Sequence, residues 1–143
     1  MKFRFEKSND KEEIVAYAKE KNKLIEAIES LCINEANTIL AYDDNKIIEL
    51  SYNDIDCFIT INDKIYAVVE NKKLIVKKRL YELDSLTGDS FIFINQSCLA
   101  NINKIKYFEA SIGGALLIVF KSGYKDYVSR RKLKYVKERL GLK

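Results

Sequence analysis

The chain has 143 residues, 48% of them hydrophobic, with 25 Lys and Arg against 21 Asp and Glu, which is enough to bury one domain-sized core. It contains no His, so imidazole general-base catalysis and imidazole metal ligation are excluded. Cys32, Cys57 and Cys98 lie far apart without paired spacing, which argues against a zinc knuckle or a disulfide framework and for reduced thiols in a cytoplasmic setting.

Charge is unevenly placed along the chain. Residues 1–60 hold 8 basic and 13 acidic side chains, whereas residues 61–143 hold 17 and 8. An acidic front is therefore joined to a basic back that suits a polyanion. No apolar run approaches the ~18–20 residues of a membrane span, and Met1-Lys-Phe-Arg-Phe-Glu6 lacks the apolar core of a signal peptide.

In chain order, Lys2 to Lys7 alternates as a short strand would, and Ser8-Asn-Asp10 followed by Glu12 and Glu13 offers a cap with acid in the first turn. The helix predicted to start there carries an apolar stripe of Ile14, Tyr17, Ala18, Leu24, Ile25, Ile28, Leu31 and Cys32. From Thr38 the pattern changes to short strands: Thr38 to Tyr42, Lys46 to Leu50, Ile55 to Ile61, Lys64 to Glu70 and Leu74 to Lys78. Asn62-Asp63 and Asn71-Lys72 between them read as hairpin turns, so an antiparallel meander is expected. Leu80, Leu83 and Leu86 mark one short helix ended by Thr87-Gly-Asp89. Strands are expected at Phe91 to Ile94, Leu99 to Ala110, Leu116 to Phe120 and Tyr124 to Val128, with Gly113-Gly114 and Ser122-Gly123 at the reversals. Ser129 caps a last helix whose Leu133, Val136 and Leu140 face inward, ending at Gly141.

Two polar segments stand out against this framework. Phe91-Ile-Phe-Ile-Asn-Gln-Ser-Cys-Leu-Ala-Asn101 breaks a strand with amide and hydroxyl groups, and Tyr127-Val-Ser-Arg-Arg-Lys132 brings arginines to a helix mouth. Amides, hydroxyls and guanidinium forks are the groups that read base edges and grip phosphates. Asp54 with Asp56 has neither a base nor metal-ligand company, so catalysis is not expected.

The region from about Ile47 to Leu142 resembles the LytTR-type DNA-binding domain of bacterial transcription regulators. The resemblance rests on Leu80-Tyr-Glu-Leu83, the Phe91 to Asn101 segment, Asn101-Ile-Asn-Lys-Ile105, Ser122-Gly123, and Val128-Ser-Arg-Arg-Lys-Leu-Lys-Tyr-Val-Lys-Glu-Arg-Leu140, in that order. It implies a mostly β (α+β) fold of elongated antiparallel sheets with one short internal helix and a C-terminal helix, preceded by the N-terminal strand and amphipathic helix. It implies residues 46–143 as the DNA-binding domain, which puts loops into successive major grooves; the net negative charge and long apolar stripe of the front element suit residues 1–45 to association or regulation. About 45 residues are too few for a receiver domain with a phosphorylated aspartate.

The resemblance also implies site residues. Arg131 matches a base-contacting arginine, with Tyr127, Ser129, Arg130 and Lys132 placed for the DNA backbone. Where such domains commonly carry Arg, then His and Arg or Asn, this chain has Phe93, Asn95 and Gln96, while Ser97 and Asn101 are retained. Asn95 and Gln96 each suit adenine, so the site read should differ from the usual one, with Ser97 on the DNA backbone. The implied partners are double-stranded DNA with tandem repeats, a second copy as homodimer on it, and a small membrane protein as antagonist. No cofactor, metal or small-molecule substrate is expected. The alternative is a protein-interaction adaptor that keeps the fold without specific DNA binding.

Overall fold

The computed structural model describes residues 2–10, 13–35, 37–111 and 113–142. The chain divides into two compact units, residues 1–35 and 36–143. In the first, the only regular element among the described residues is helix α1, Lys23–Glu35. The strand expected over Lys2 to Lys7 is not formed, and the helix does not begin at Ser8 to Asp10. Lys11 and Glu12 of that expected start lie outside the described residues. The Ser8 hydroxyl accepts the Asp10 N–H at 3.3 Å, closing a local turn that competes with a helix start. The working cap is Asn22. Its Oδ1 accepts the Ile25 N–H at 3.0 Å and its carbonyl accepts the Glu26 N–H at 3.0 Å.

The second unit opens with β1 (Thr38–Asp43), β2 (Lys46–Ser51), β3 (Cys57–Ile61), β4 (Lys64–Val69) and β5 (Lys72–Val76). Helix α2 (Leu80–Thr87), β6 (Phe91–Asn95), β7 (Cys98–Asn101), β8 (Ile105–Ala110), β9 (Leu116–Phe120), β10 (Lys125–Val128) and helix α3 (Arg130–Arg139) follow. The boundary expected between residues 45 and 46 falls at the turn of the β1–β2 hairpin, whose strands pair from Thr38↔Ser51 to Asp43↔Lys46.

Strand pairing departs from a simple meander. One seven-stranded sheet runs in the order β2-β1-β5-β4-β3-β7-β6, and a three-stranded sheet runs β10-β9-β8. Alternation in a sequence tells which face each side chain takes, but it carries no information on which strand lies alongside. The single strand expected over Leu99 to Ala110 is two strands in different sheets, separated by a 3-10 turn at Ile102–Lys104. Asn101 causes the break. Its buried Oδ1 accepts the Asn103 N–H at 3.0 Å, while Nδ2 donates to the carbonyls of Ile55 at 2.9 Å and Tyr52 at 3.3 Å. A buried amide satisfied on both ends bends the chain out of one sheet and into the other.

The large sheet buries both faces. On one side Ile65, Ala67, Phe58, Phe91 and Leu99 pack with Leu80 and Leu83 of α2, including a tilted Phe58–Phe91 ring pair 5.5 Å apart. On the other side Cys57, Ile59, Val68, Ile92, Ile94 and Cys98 pack with Ile118, Phe120 and Val128 of the small sheet and Val136 of α3. Successive residues of β3 and of β6 therefore belong to opposite cores, as period-two geometry requires. Asn62 and Asp63 turn β3 into β4, and Glu70 with Asn71 turns β4 into β5, all at positive φ. The second turn lies one residue earlier than Asn71-Lys72. Gly123 reverses the β9–β10 hairpin at φ +96°. That hairpin is anchored to the large sheet, because the Ser122 hydroxyl donates to Asp56 and Asn71 Nδ2 donates to the Ser122 carbonyl at 3.1 Å. Burial pushes the Asp56 carboxyl upward, against the pull of Ser122 and Lys104.

Candidate nucleic-acid interface

Two polar segments, more than thirty residues apart in the chain, meet at one end of the second unit. The first is the two-residue turn Gln96-Ser97 between β6 and β7, both side chains exposed. The second runs from the end of β10 into the first turn of α3. The Ser129 N–H donates to the Ile94 carbonyl at 2.9 Å, which sets the helix mouth beside the turn. Lys132 Nζ stands 5.8 Å over the Phe93 ring and 5.4 Å over Tyr135, so its stem is half-buried while its charge lies over aromatic faces.

The expected residues fall into distinct positions. The side chains of Gln96 and Arg131 are exposed, with no hydrogen bond or ion pair among the described residues, and Arg130 is equally open. Tyr127 is 56% exposed on β10. Ser129 is half-buried, and its hydroxyl accepts the Lys132 N–H at 3.3 Å as the helix cap. Asn95 is engaged within the protein. Its Nδ2 donates to Asp126 Oδ1 at 3.1 Å and to the Tyr127 carbonyl at 2.7 Å, and its Oδ1 accepts the Ser97 N–H at 2.8 Å. Both N–H groups of that amide are thereby used, so it does not face outward as Gln96 does.

Electrostatics single out the mouth of α3. Arg130, Arg131 and Lys132 fill its first turn with no acidic residue among them, where the helix dipole is positive and cations are disfavoured. Among the described residues none of the three is within salt-bridge distance of a carboxylate. Unpaired cations at an N-terminal helix end, with backbone N–H groups pointing the same way, form an anion-attracting surface.

Sequence reading missed two contributors. The Thr60 N–H donates to the Ser97 carbonyl at 2.9 Å, which draws the exposed β3–β4 turn, Asn62 to Lys64, alongside the β6–β7 turn. Asp126 receives the Asn95 amide. Neither had a local signal, since both depend on which strands lie side by side.

Cys57 and Cys98 lie beneath the turn, fully buried, whereas Cys32 on α1 is exposed. A hydrogen bond with Cys57 and then burial hold the Cys98 thiol well above its ordinary range. A thiol reagent added to the folded, reduced protein is therefore expected to consume one fast equivalent at Cys32 and to reach the other two only on unfolding. Three fast equivalents would show that the core under the turn is open.

The sequence pattern of the LytTr DNA-binding domain matches residues 45–141. Proteins described as uncharacterized HTH-type transcriptional regulators from Staphylococcus aureus strains COL and MW2 are each 32% identical over 119 residues, spanning 83% of this chain and 80% of their own length. Among the described residues of this chain, no two α-helices follow one another without intervening strands. A solved LytTr DNA-binding domain from Bacillus cereus superposes with a TM-score of 0.70 at 22% identity, covering 74% of this chain and 98% of that one. A pattern match over two thirds of the chain, relatives that extend it and the shared antiparallel architecture agree: the chain belongs to the LytTr DNA-binding domain family.

Proposed function

We propose that this member reads double-stranded DNA with the β6–β7 turn and the mouth of α3 in the major groove. Gln96 and Arg131 meet base edges, while Ser97, Tyr127, Ser129, Arg130 and Lys132 hold the sugar-phosphate backbone. The observation that carries this reading is the junction of an outward amide with three cations that lack carboxylate partners. An exposed amide pairs bidentately with adenine and a guanidinium fork with guanine, and a groove about 12 Å wide admits both elements. Protomers act in pairs on adjacent repeats, with residues 1–45 serving association or control. Supporting this is α1, which leaves Leu24 and Leu31 at 50% and 68% exposure. No chemistry on the DNA is proposed.

Salt dependence tests the reading directly. If about five Lys and Arg side chains neutralise phosphates, the slope of log affinity against log salt should have a magnitude of about 4 or more. Fluorescence anisotropy with a duplex from its own promoter, measured across salt concentrations, gives that slope. Weak binding with a flat salt response and no preference over random duplex would refute DNA reading and favour the adaptor alternative.

A further inference from the structure

We infer that Asp126 and Asn95 form a positioning clamp that holds the Gln96 turn and the Arg131 helix mouth as one reading unit. This rests on the proposal above and assigns a role to Asp126, an acidic side chain where a polyanion is expected to approach. β6 is an edge of the large sheet and β10 an edge of the small one, and no strand ladder joins them. Between these two edges the backbone link is the bond from the Ser129 N–H to the Ile94 carbonyl at 2.9 Å. Beside the apolar packing that Ile92 and Ile94 share with Val128 and Val136 and the Lys132 ammonium over Phe93, the side-chain hydrogen bonds that tie the turn to β10 among the described residues pass through the Asn95 amide, which spans both sides. It takes the Ser97 N–H of the turn on its oxygen at 2.8 Å and gives its two N–H groups to Asp126 at 3.1 Å and the Tyr127 carbonyl at 2.7 Å on β10. Asp126 Oδ1 also accepts the Tyr127 N–H at 2.8 Å, so the carboxylate is itself held in place.

A carboxylate beside a DNA surface weakens attraction for every sequence alike. Its presence is explained if orientation matters more than the lost attraction. A bond accepted by a charged group is stronger and more directional than a neutral one, and readers must be held within fractions of an ångström to discriminate. The neutral amide at position 95 also fits, since only a donor suits both Asp126 and a carbonyl.

Two variants separate positioning from plain electrostatics. Asp126→Ala removes charge and acceptor; Asp126→Asn removes the charge and keeps an acceptor. Both should bind random duplex somewhat more tightly than the unmodified protein. Discrimination between the specific and random duplexes should fall about tenfold in Asp126→Ala, the scale of one charge-assisted hydrogen bond. It should stay within about threefold of the unmodified value in Asp126→Asn. Equal discrimination by the two variants would overturn the inference. The clamp is also read without DNA, because the Ser97 amide depends on Asn95 being held. Hydrogen exchange of that amide in the free protein should accelerate in Asn95→Ala and Asp126→Ala, and an unchanged rate in Asp126→Ala would overturn the clamp. Faster exchange with full discrimination would leave the clamp but overturn its part in reading. If Arg131→Ala also leaves discrimination untouched on the same duplexes, the assignment of Arg131 as a base reader falls, and this inference with it, whereas an unmodified protein that shows no preference over random duplex would refute the DNA reading itself.

Discussion

Replacing Arg131 by Ala should lower affinity for the specific duplex by about 1–3 kcal/mol and relax preference at one base position. Stability should move by less than about 0.5 kcal/mol, because the side chain is exposed, has no carboxylate partner and fills no core volume. The direction of the small change is also given by the geometry. Arg131 sits in the first turn of α3 beside Arg130 and Lys132, so removing one like charge from the positive end of the dipole should stabilise the free protein if anything. Arg131→Lys separates two kinds of contact, since Lys keeps the charge and loses the planar fork. Full affinity and full base preference in the Lys variant would place Arg131 on a phosphate. An Ala variant that binds its natural duplex as tightly as the parent, with the same salt slope, would take Arg131 out of the interface.

The largest stability effect away from the interface is expected at Asn101. Asn101→Ala would leave the Ile55 carbonyl and the Asn103 N–H without the partner they have now, and would take from the Tyr52 carbonyl one of its two donors, the Ile55 N–H remaining, at a position only 2% exposed. Stranding buried polar groups in this way should destabilise the second unit by about 3 kcal/mol and lower its Tm by roughly 10–20 °C. Asn101→Asp should be no better, because a carboxylate offers no N–H to either carbonyl. Well below that Tm, DNA affinity should remain within a few-fold of the parent, as Asn101 lies away from Gln96 and Arg131 along β7. A Tm change under about 3 °C would mean that the break between β7 and β8 does not rest on this amide.

Arg131 and Asn101 differ in how far the local sequence determines what they do. For Arg131 the base contact is what the LytTR resemblance implies, while Ser129, Leu133 and Val136 mark the capped amphipathic helix from whose first turn its side chain emerges. Asn101 was visible as a retained residue, yet the segment around it read as one long strand. Its amide bonds reach back to Tyr52 and Ile55, and no local pattern records an acceptor that far away in the chain. Asn95 is similar. Its type suits a base edge, and only the arrival of β10 beside β6 turns its amide inward.

The N-terminal unit fails in the opposite way. Ser8, Asn9 and Asp10 with acids behind them match a helix start, but the Ser8 hydroxyl closes a turn with Asp10 and the helix waits for Asn22. Cap chemistry is weak, on the order of 1 kcal/mol, so a cap match alone does not select among several candidate starts.

What the sequence by itself determined, then, is the set of local elements in residues 38–140 and the chemistry at their ends. Period-two and period-3.6 patterns, turn residues and caps act between near neighbours, so most of the strands, α2, α3 and the family emerge from reading alone, the exception being β7 and β8, which read as one strand. Tertiary structure decided which strands pair, that the chain leaves one sheet for the other at Asn101, and which polar side chains remain free for a partner. The reason is that a hydrogen-bond donor is satisfied by whichever acceptor folding brings within about 3 Å. For Asn95 that acceptor is Asp126, thirty-one positions along the chain, whereas for the side chains of Gln96 and Arg131 the fold brings up none among the described residues.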